Sequence, residues 1–215
     1  MKINIVGGGP VENLPNLHDY NHEDCLWVGV DRGVTVLLSK GLIPTHAFGD
    51  FDSVSKEEWV QVQQQVKHLH RYQAEKDEPD MELALDWAIK QGPEKIQIFG
   101  GTGGRLDHFF ANVQLLVKPN LLNYPNEIAI IDHQNELFVK PAGMYTLEKM
   151  PSKKYVSFIP ISQGIKNLSL KGFKYPLIDC HIPLGSTLCI SNELLNETGT
   201  FSFTEGILLV IRSRD

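Results

Sequence analysis

The sequence predicts an α/β chain in two parts: an N-terminal parallel-sheet α/β domain over residues 1–125 and a C-terminal all-β sandwich domain over residues 126–215. Three observations predict it. Strand and helix signals alternate through the first 120 residues, glycine-rich turns follow several of the strands, and helical periodicity stops after Pro119. Lys2–Val6 and Leu26–Val30 are short apolar runs ending in Gly or Asp, as strands buried on both faces do. Val34–Leu38 reads as a helix core and Thr45–Phe48 as a short strand. Ser53 or Ser55 caps a helix reaching Gln65, with Glu57 and Glu58 in the first turn, where carboxylates meet the positive helix end. His68–Tyr72 is the next strand; its alternating His68 and His70 lack a third ligand and read as surface residues. Met81, Leu85, Ala88 and Ile89 recur at helical spacing until Gly92-Pro93 ends the helix. Ile96–Phe99 is a strand, Gly100–Gly104 its turn, and Leu106–Val117 a helix whose stripe of Phe109, Phe110, Val113 and Leu116 belongs in the core. Beyond it, Ile128–Asp132, Tyr155–Pro160, Leu188–Ser191 and Thr200–Phe203 are short β segments of the second domain, separated by Gly, Pro and Asn.

Charge and composition exclude several classes of function. The chain has 20 Lys and Arg against 26 Asp and Glu, a net charge of −6, which argues against nucleic-acid binding by bulk charge. The acid excess lies wholly in residues 1–124, with 17 acidic and 11 basic side chains; the remainder carries nine of each. The longest clean apolar run, Ile207–Ile211, falls far short of the ~20 residues of a membrane span, so no membrane partner is expected. Met1-Lys2 leads straight into a strand, and no signal peptide is expected. Cys25, Cys180 and Cys189 match no zinc spacing and read as reduced thiols of a cytoplasmic protein.

Chemistry concentrates in the turns after strands. In Gly49-Asp50-Phe51-Asp52-Ser53, an extended backbone would send Asp50 and Asp52 to the same side, at a strand's carboxyl end where open α/β sheets bind ligands. Two carboxylates so close favour a cation such as Mg²⁺; the alternative is an Asp-rich turn with Ser53 as a helix cap. Lys76-Asp77-Glu78-Pro79-Asp80 opens a helix, with Asp77 as its cap and Asp80 on the same sheet edge. Gly100-Gly101-Thr102-Gly103-Gly104-Arg105-Leu106-Asp107-His108 lets backbone approach a phosphate at a helix start, with Arg105 as a forked partner. Its spacing is neither a P-loop nor a dinucleotide fingerprint. Asp107 would orient Arg105 or cap the helix. Gly7-Gly8-Gly9-Pro10 and Asp31-Arg32-Gly33 are weaker signals on the same edge.

Together these motifs resemble the thiamine pyrophosphokinase family. Gly7-Gly8-Gly9, Val30-Asp31-Arg32-Gly33, Gly49–Ser53, Lys76–Asp80, Gly100–His108 and Ser191-Asn192-Glu193 occur in family order and span nearly the whole chain. Pro79 stands where the family usually has Thr. The resemblance implies transfer of a pyrophosphoryl group from ATP to the hydroxyethyl oxygen of thiamine, with release of AMP. It also implies a homodimer with active sites at the subunit interface. On this reading Asp50, Asp52 and Asp80 hold Mg²⁺, supported by Asp77 and Lys76, and Arg105 acts on the phosphates. ATP contacts come from Gly8, Asp31, Gly33, Ser53, Lys76, Gly101, Thr102, Gly103, Gly104, Asp107 and His108; Ser191 and Asn192 contact thiamine. Two rivals remain: a haloacid-dehalogenase-like phosphatase phosphorylated on Asp50, and a non-catalytic nucleotide or thiamine sensor.

Overall fold

The computed structural model describes residues 1–52, 54–71, 77–118 and 123–215. It divides into a first compact unit, Met1–Leu116 with Asn123–His133, and a second that contains Gln134–Asp215. No helix among the described residues is long and apolar enough to cross a membrane.

The first unit is a parallel sheet with helices. Its strands are β1 (Lys2–Val6), β2 (Cys25–Val30), β3 (His46–Gly49), β4 (His68–Arg71), β5 (Lys95–Phe99) and β6 (Glu127–Ile131). They pair in the order β6-β5-β1-β2-β3-β4, every pair parallel. Ile3, Ile5, Val28, Ile96, Ile98 and Ile130 have no exposed surface, and the polar Asn4 and Gln97 between them are buried too, as expected of strands covered on both faces. The helices are α1 (Gly33–Ser39), α2 (Lys56–Gln65), α3 (Asp80–Lys90) and α4 (Leu106–Val117). Ser55 is the cap of α2. Its hydroxyl accepts from the Glu58 N–H at 3.2 Å, and the Glu58 carboxylate accepts from the Ser55 N–H at 2.9 Å. Such a reciprocal box contributes about 1 kcal/mol, and these bonds hold the Glu58 carboxyl below its ordinary pKa.

Several expectations need correction. Ile128–Asp132 supplies a sixth parallel strand beside β5, so the first unit runs to His133 and does not stop at 125. An apolar run of four reads the same in a parallel or an antiparallel sheet, so pairing decides its unit. Leu188–Ser191 is a turn, and the strand beside it is the two-residue Asn192–Glu193. Phe110 is 61% exposed and Leu106 70%, while Val113 and Leu116 are buried; helical spacing defines a face but not what covers it. Pro79, not Asp77, precedes α3 as its cap residue.

At the β3–β4 edge, His46 Nδ1 lies 3.0 Å from His70 Nε2, so the two rings share one proton. His46 also stacks on His68 and packs on Trp87, and His70 stacks on Phe48. His70 is thus half-buried and not the surface residue expected. Burial, then the neighbouring His68, His70 and Lys67, push His46 down to about 4.

The second unit is antiparallel: β7 (Asn135–Glu148), β8 (Tyr155–Pro160), β9 (Gly164–Lys171), β10 (Leu177–Pro183), β11 (Asn192–Glu193) and β12 (Thr198–Ser213). β12 pairs with β7 along its length. On its other edge β12 pairs first with β9 and then, past an irregularity between Phe203 and Ile207, with β8. Phe158 anchors the core, its ring 5.4 Å from Phe173 and 5.1 Å from Phe201.

Candidate active site

Because the first sheet is parallel, its strands present their carboxyl ends along one edge. Gly7–Gly9 follow β1, Asp31–Gly33 follow β2, Asp50–Asp52 follow β3 and Gly100–Gly104 follow β5, while Asp80 opens α3 after β4. Strand order reverses between β1 and β5, and open sheets bind ligands outside such a reversal. The two glycine loops there interlock: the Gly7 N–H donates to Phe99 O at 2.8 Å and the Gly9 N–H to Gly100 O at 3.0 Å. Gly100 has φ +64°, and a Cβ on it would stand 2.5 Å from Gly7 O. A Cβ on Gly33 would collide with Val6 O, so the turn into α1 also requires glycine. Gly8 is exposed beside the Arg32 stem, and the Met81 tip lies over Gly7, which brings the start of α3 to this edge.

The loop after β5 is pinned from two sides. Asn112 Nδ2 donates to Gly101 O at 2.9 Å, and the buried Thr102 hydroxyl donates to the buried Asp132 carboxylate at 2.8 Å. The Thr102 side chain is therefore turned inward, and the residue as a whole is buried. Asn112 and Asp132 escaped the sequence reading; a polar residue amid an apolar helix and an Asp ending an apolar strand were the available signals. Gly103 and Gly104 are exposed, with φ +74° and +65°. Arg105 binds Asp107 in a fork, Nε to Oδ1 at 3.1 Å and Nη2 to Oδ2 at 2.6 Å. Asp107 Oδ1 also accepts from the His108 N–H at 2.9 Å. The Arg105 hydrogen bond, with the His108 N–H adding to it, lowers the Asp107 carboxyl to about 2. Arg105, Asp107 and His108 are all exposed.

The acidic turn is built differently from the expectation. Phe51 has φ +59°, so Asp50–Asp52 is not extended and simple alternation does not govern it. Instead the Asp52 N–H donates to Asp50 Oδ1 at 3.0 Å. The cause is packing: Phe51 is buried with Val34, Ala47, Val62 and Val66, and its ring lies 5.0 Å from Trp59. Asp50 is half-buried and Asp52 exposed; Asp77 is exposed and Asp80 half-buried. Ser53 and Lys76 lie outside the described residues. Among the described residues no three His, Cys, Asp or Glu side chains gather as a ready metal site, so Asp50, Asp52 and Asp80 are not preassembled. Asp31 carries φ +48°, and its carboxylate lies against Gly49.

In the second unit, Ser191 is exposed with φ +56°, its N–H donating to Ser157 Oγ at 3.0 Å. Asn192 is only 2% exposed. Its Oδ1 accepts from the Tyr175 and Glu193 N–H groups at 3.0 and 2.9 Å, and its Nδ2 donates to Tyr175 O at 2.9 Å. The amide expected to touch thiamine is thus engaged in holding the Tyr175 segment. Glu193 beside it bridges Lys174 at 3.0 Å and Lys154 at 3.5 Å.

Comparison with known proteins covers both units. Residues 17–130 match the family model for the thiamin pyrophosphokinase catalytic domain, and residues 144–208 match the model for its vitamin B1 binding domain. The chain is 54% identical over 213 residues to a thiamine pyrophosphokinase of Bacillus subtilis (strain 168), covering 99% of each chain. Among solved structures it is similar to thiamine pyrophosphokinase from Bacillus subtilis, with a TM-score of 0.93, 50% identity and full coverage of both chains. It is equally similar to thiamin pyrophosphokinase from Geobacillus thermodenitrificans, with a TM-score of 0.92, 54% identity, and coverage of 100% of this chain and 98% of the other.

Proposed function

The chain belongs to the thiamine pyrophosphokinase family, and from that premise we infer that it transfers the pyrophosphoryl group of ATP to the hydroxyethyl oxygen of thiamine. The observation that carries this reading is the match along the whole chain at 54% identity, with both family domains in order. It does not favour the phosphatase or sensor alternatives. In the reaction the thiamine hydroxyl oxygen attacks the β-phosphorus. The bond from that phosphorus to the α–β bridging oxygen breaks, AMP leaves with the oxygen, and the hydroxyl proton is released.

The residues present suit Mg²⁺. Carboxylate oxygens are hard donors, and Mg²⁺ is commonly held by one or two of them plus substrate phosphates and water, so a preassembled triad is not required. Asp50, Asp52 and Asp80 would hold it, and when bound it would neutralise charge on the transferring phosphates. The protein's part is positional. The exposed backbone of Gly8, Gly103 and Gly104 allows close approach of phosphate oxygens, and Arg105 exchanges Asp107 for phosphate when ATP arrives. Asp31, Gly33, Gly101, Asp107 and His108 shape the same edge, and the Thr102–Asp132 and Asn112 bonds keep its loop from collapsing. Asp77 supports the metal ligands from the segment before α3.

Thiamine contacts fall to the second unit, with Ser191 presented by the turn that Asn192 stabilises. A homodimer with active sites at the subunit interface is supported by the exposed apolar side chains Ile178, Leu184 and Leu188, at 80%, 61% and 66%. Three free cysteines accord with a cytoplasmic setting. Incubation with ATP, Mg²⁺ and thiamine tests the whole reading: AMP and thiamine diphosphate accumulate together. An acyl-phosphate trapped on Asp50 would instead support the phosphatase. Light scattering at micromolar protein reads the dimer directly.

A further inference from the structure

Arg71 ends β4 in register with Gly49, the residue before the acidic turn, so it stands on the carboxyl edge where the ligand-binding loops meet. Its guanidinium carbon lies 5.6 Å from the centroid of the Trp59 ring, and the Trp59 ring lies 5.0 Å from Phe51. Arg71, Trp59 and Phe51 therefore form one stack, and its last member carries the backbone of Asp50–Asp52. A guanidinium resting on an aromatic ring uses its face and leaves its planar fork of N–H donors for an anion. Among the described residues no carboxylate engages that fork, whereas the fork of Arg105 is filled by Asp107. A divalent cation held by the two carboxylates of the turn would be offset by their own charge, so a triphosphate there still favours further positive charge beside it.

We propose that Arg71 is a phosphate-binding residue for the ATP triphosphate, with Trp59 as the positioning residue that holds its guanidinium next to the Asp50–Asp52 turn. The proposal rests on the pyrophosphotransfer reading and adds to it an arginine that no sequence motif marked. Arg71 donates to phosphate oxygens, offsets the charge of the turn, and orders the triphosphate before the β-phosphorus is attacked.

The test combines steady-state kinetics with titration of magnesium tripolyphosphate, an adenine-free probe, into parent, Arg71→Ala, Arg71→Lys and Trp59→Phe proteins. Loss of a charge-assisted fork should raise the KM for ATP and weaken tripolyphosphate binding by about ten- to a hundredfold in Arg71→Ala. The KM for thiamine and the thermal midpoint should stay near parental values. Arg71→Lys should recover part of the loss, and Trp59→Phe, which keeps a ring under the guanidinium, should lose least. Parental tripolyphosphate affinity in Arg71→Ala would overturn the proposal. So would equal rises in both KM values with a lowered midpoint, since Arg71 would then only support the fold. A parent that makes no thiamine diphosphate would refute the reaction itself, and the tripolyphosphate titration would still decide the anion site.

Discussion

Asn192→Ala should destabilise the protein before it weakens any thiamine contact. The Asn192 side chain makes three hydrogen bonds at 2.9–3.0 Å, two accepted and one donated, and is 2% exposed. At about 1 kcal/mol each, their loss amounts to about 3 kcal/mol, because truncation leaves the Tyr175 N–H and carbonyl and the Glu193 N–H without that partner. For a chain of this length, each kcal/mol moves the thermal midpoint by about 2–4 °C, which gives a fall of about 6–12 °C. Asn192→Asp keeps both accepted bonds but buries a carboxylate and sets its second oxygen against the Tyr175 carbonyl, so it should not restore the midpoint. Calorimetry reads the midpoint, and hydrogen exchange at the Tyr175 amide reads the bond itself. A midpoint within 2 °C of the parent with unchanged Tyr175 exchange, alongside a raised thiamine KM, would refute this reasoning and restore Asn192 as a direct ligand.

Asp50→Asn and Asp52→Asn should each lower kcat by about a hundredfold with little change in midpoint, because a transition-state charge clamp is lost while the Phe51 packing remains; near-parental kcat in both would make the turn purely structural. Arg105→Ala should leave the midpoint almost unchanged, since its pair with Asp107 is exposed, yet raise the KM for ATP by about tenfold or more, with Arg105→Lys in between. Lost stability with parental kinetics would reduce Arg105 to a partner of Asp107. His46 is held at about 4 against an ordinary 6.5, so the unfolded chain takes up a proton that the folded chain refuses. The stabilisation is therefore complete above about pH 6.5 and is lost as pH falls through about 4. The full shift corresponds to about 3 kcal/mol, which partial exposure reduces to about 1–2 kcal/mol. The midpoint of His46→Gln should fall less steeply than the parent's between pH 6.5 and 4, and parallel curves would contradict this.

The parallel sheet was readable because burial on both faces makes a strand such as Cys25–Val30 nearly continuous in apolar residues, and because glycine-rich turns and helical segments follow the shorter strands Lys2–Val6 and Lys95–Phe99. The edge that carries the acids and glycines followed from the same alternation of strand and helix. What pattern could not supply was partnership across the chain. Ile128–Ile131 has no feature that distinguishes a parallel neighbour of β5 from a strand of the second unit. Asp50 and Asp52 were expected to share a face through an extended backbone, but burial of Phe51 imposes a left-handed residue between them. Thr102 and Asn192 were read as ligand contacts through the family resemblance, which carries no information on what their side chains bond to; their long-range partners Asp132 and Tyr175 lie 30 and 17 residues away. Arg71 gave no signal because its platform, Trp59, sits on the preceding helix.

The central claim is that a pyrophosphoryl group moves in one step, and isotopic labelling tests it most directly. With ATP labelled at the β-phosphorus, the account predicts that the label enters thiamine diphosphate at one label per product, with one AMP released and no ADP. Label retained in ADP, with thiamine monophosphate formed first, would show stepwise single-phosphoryl transfer and contradict the account.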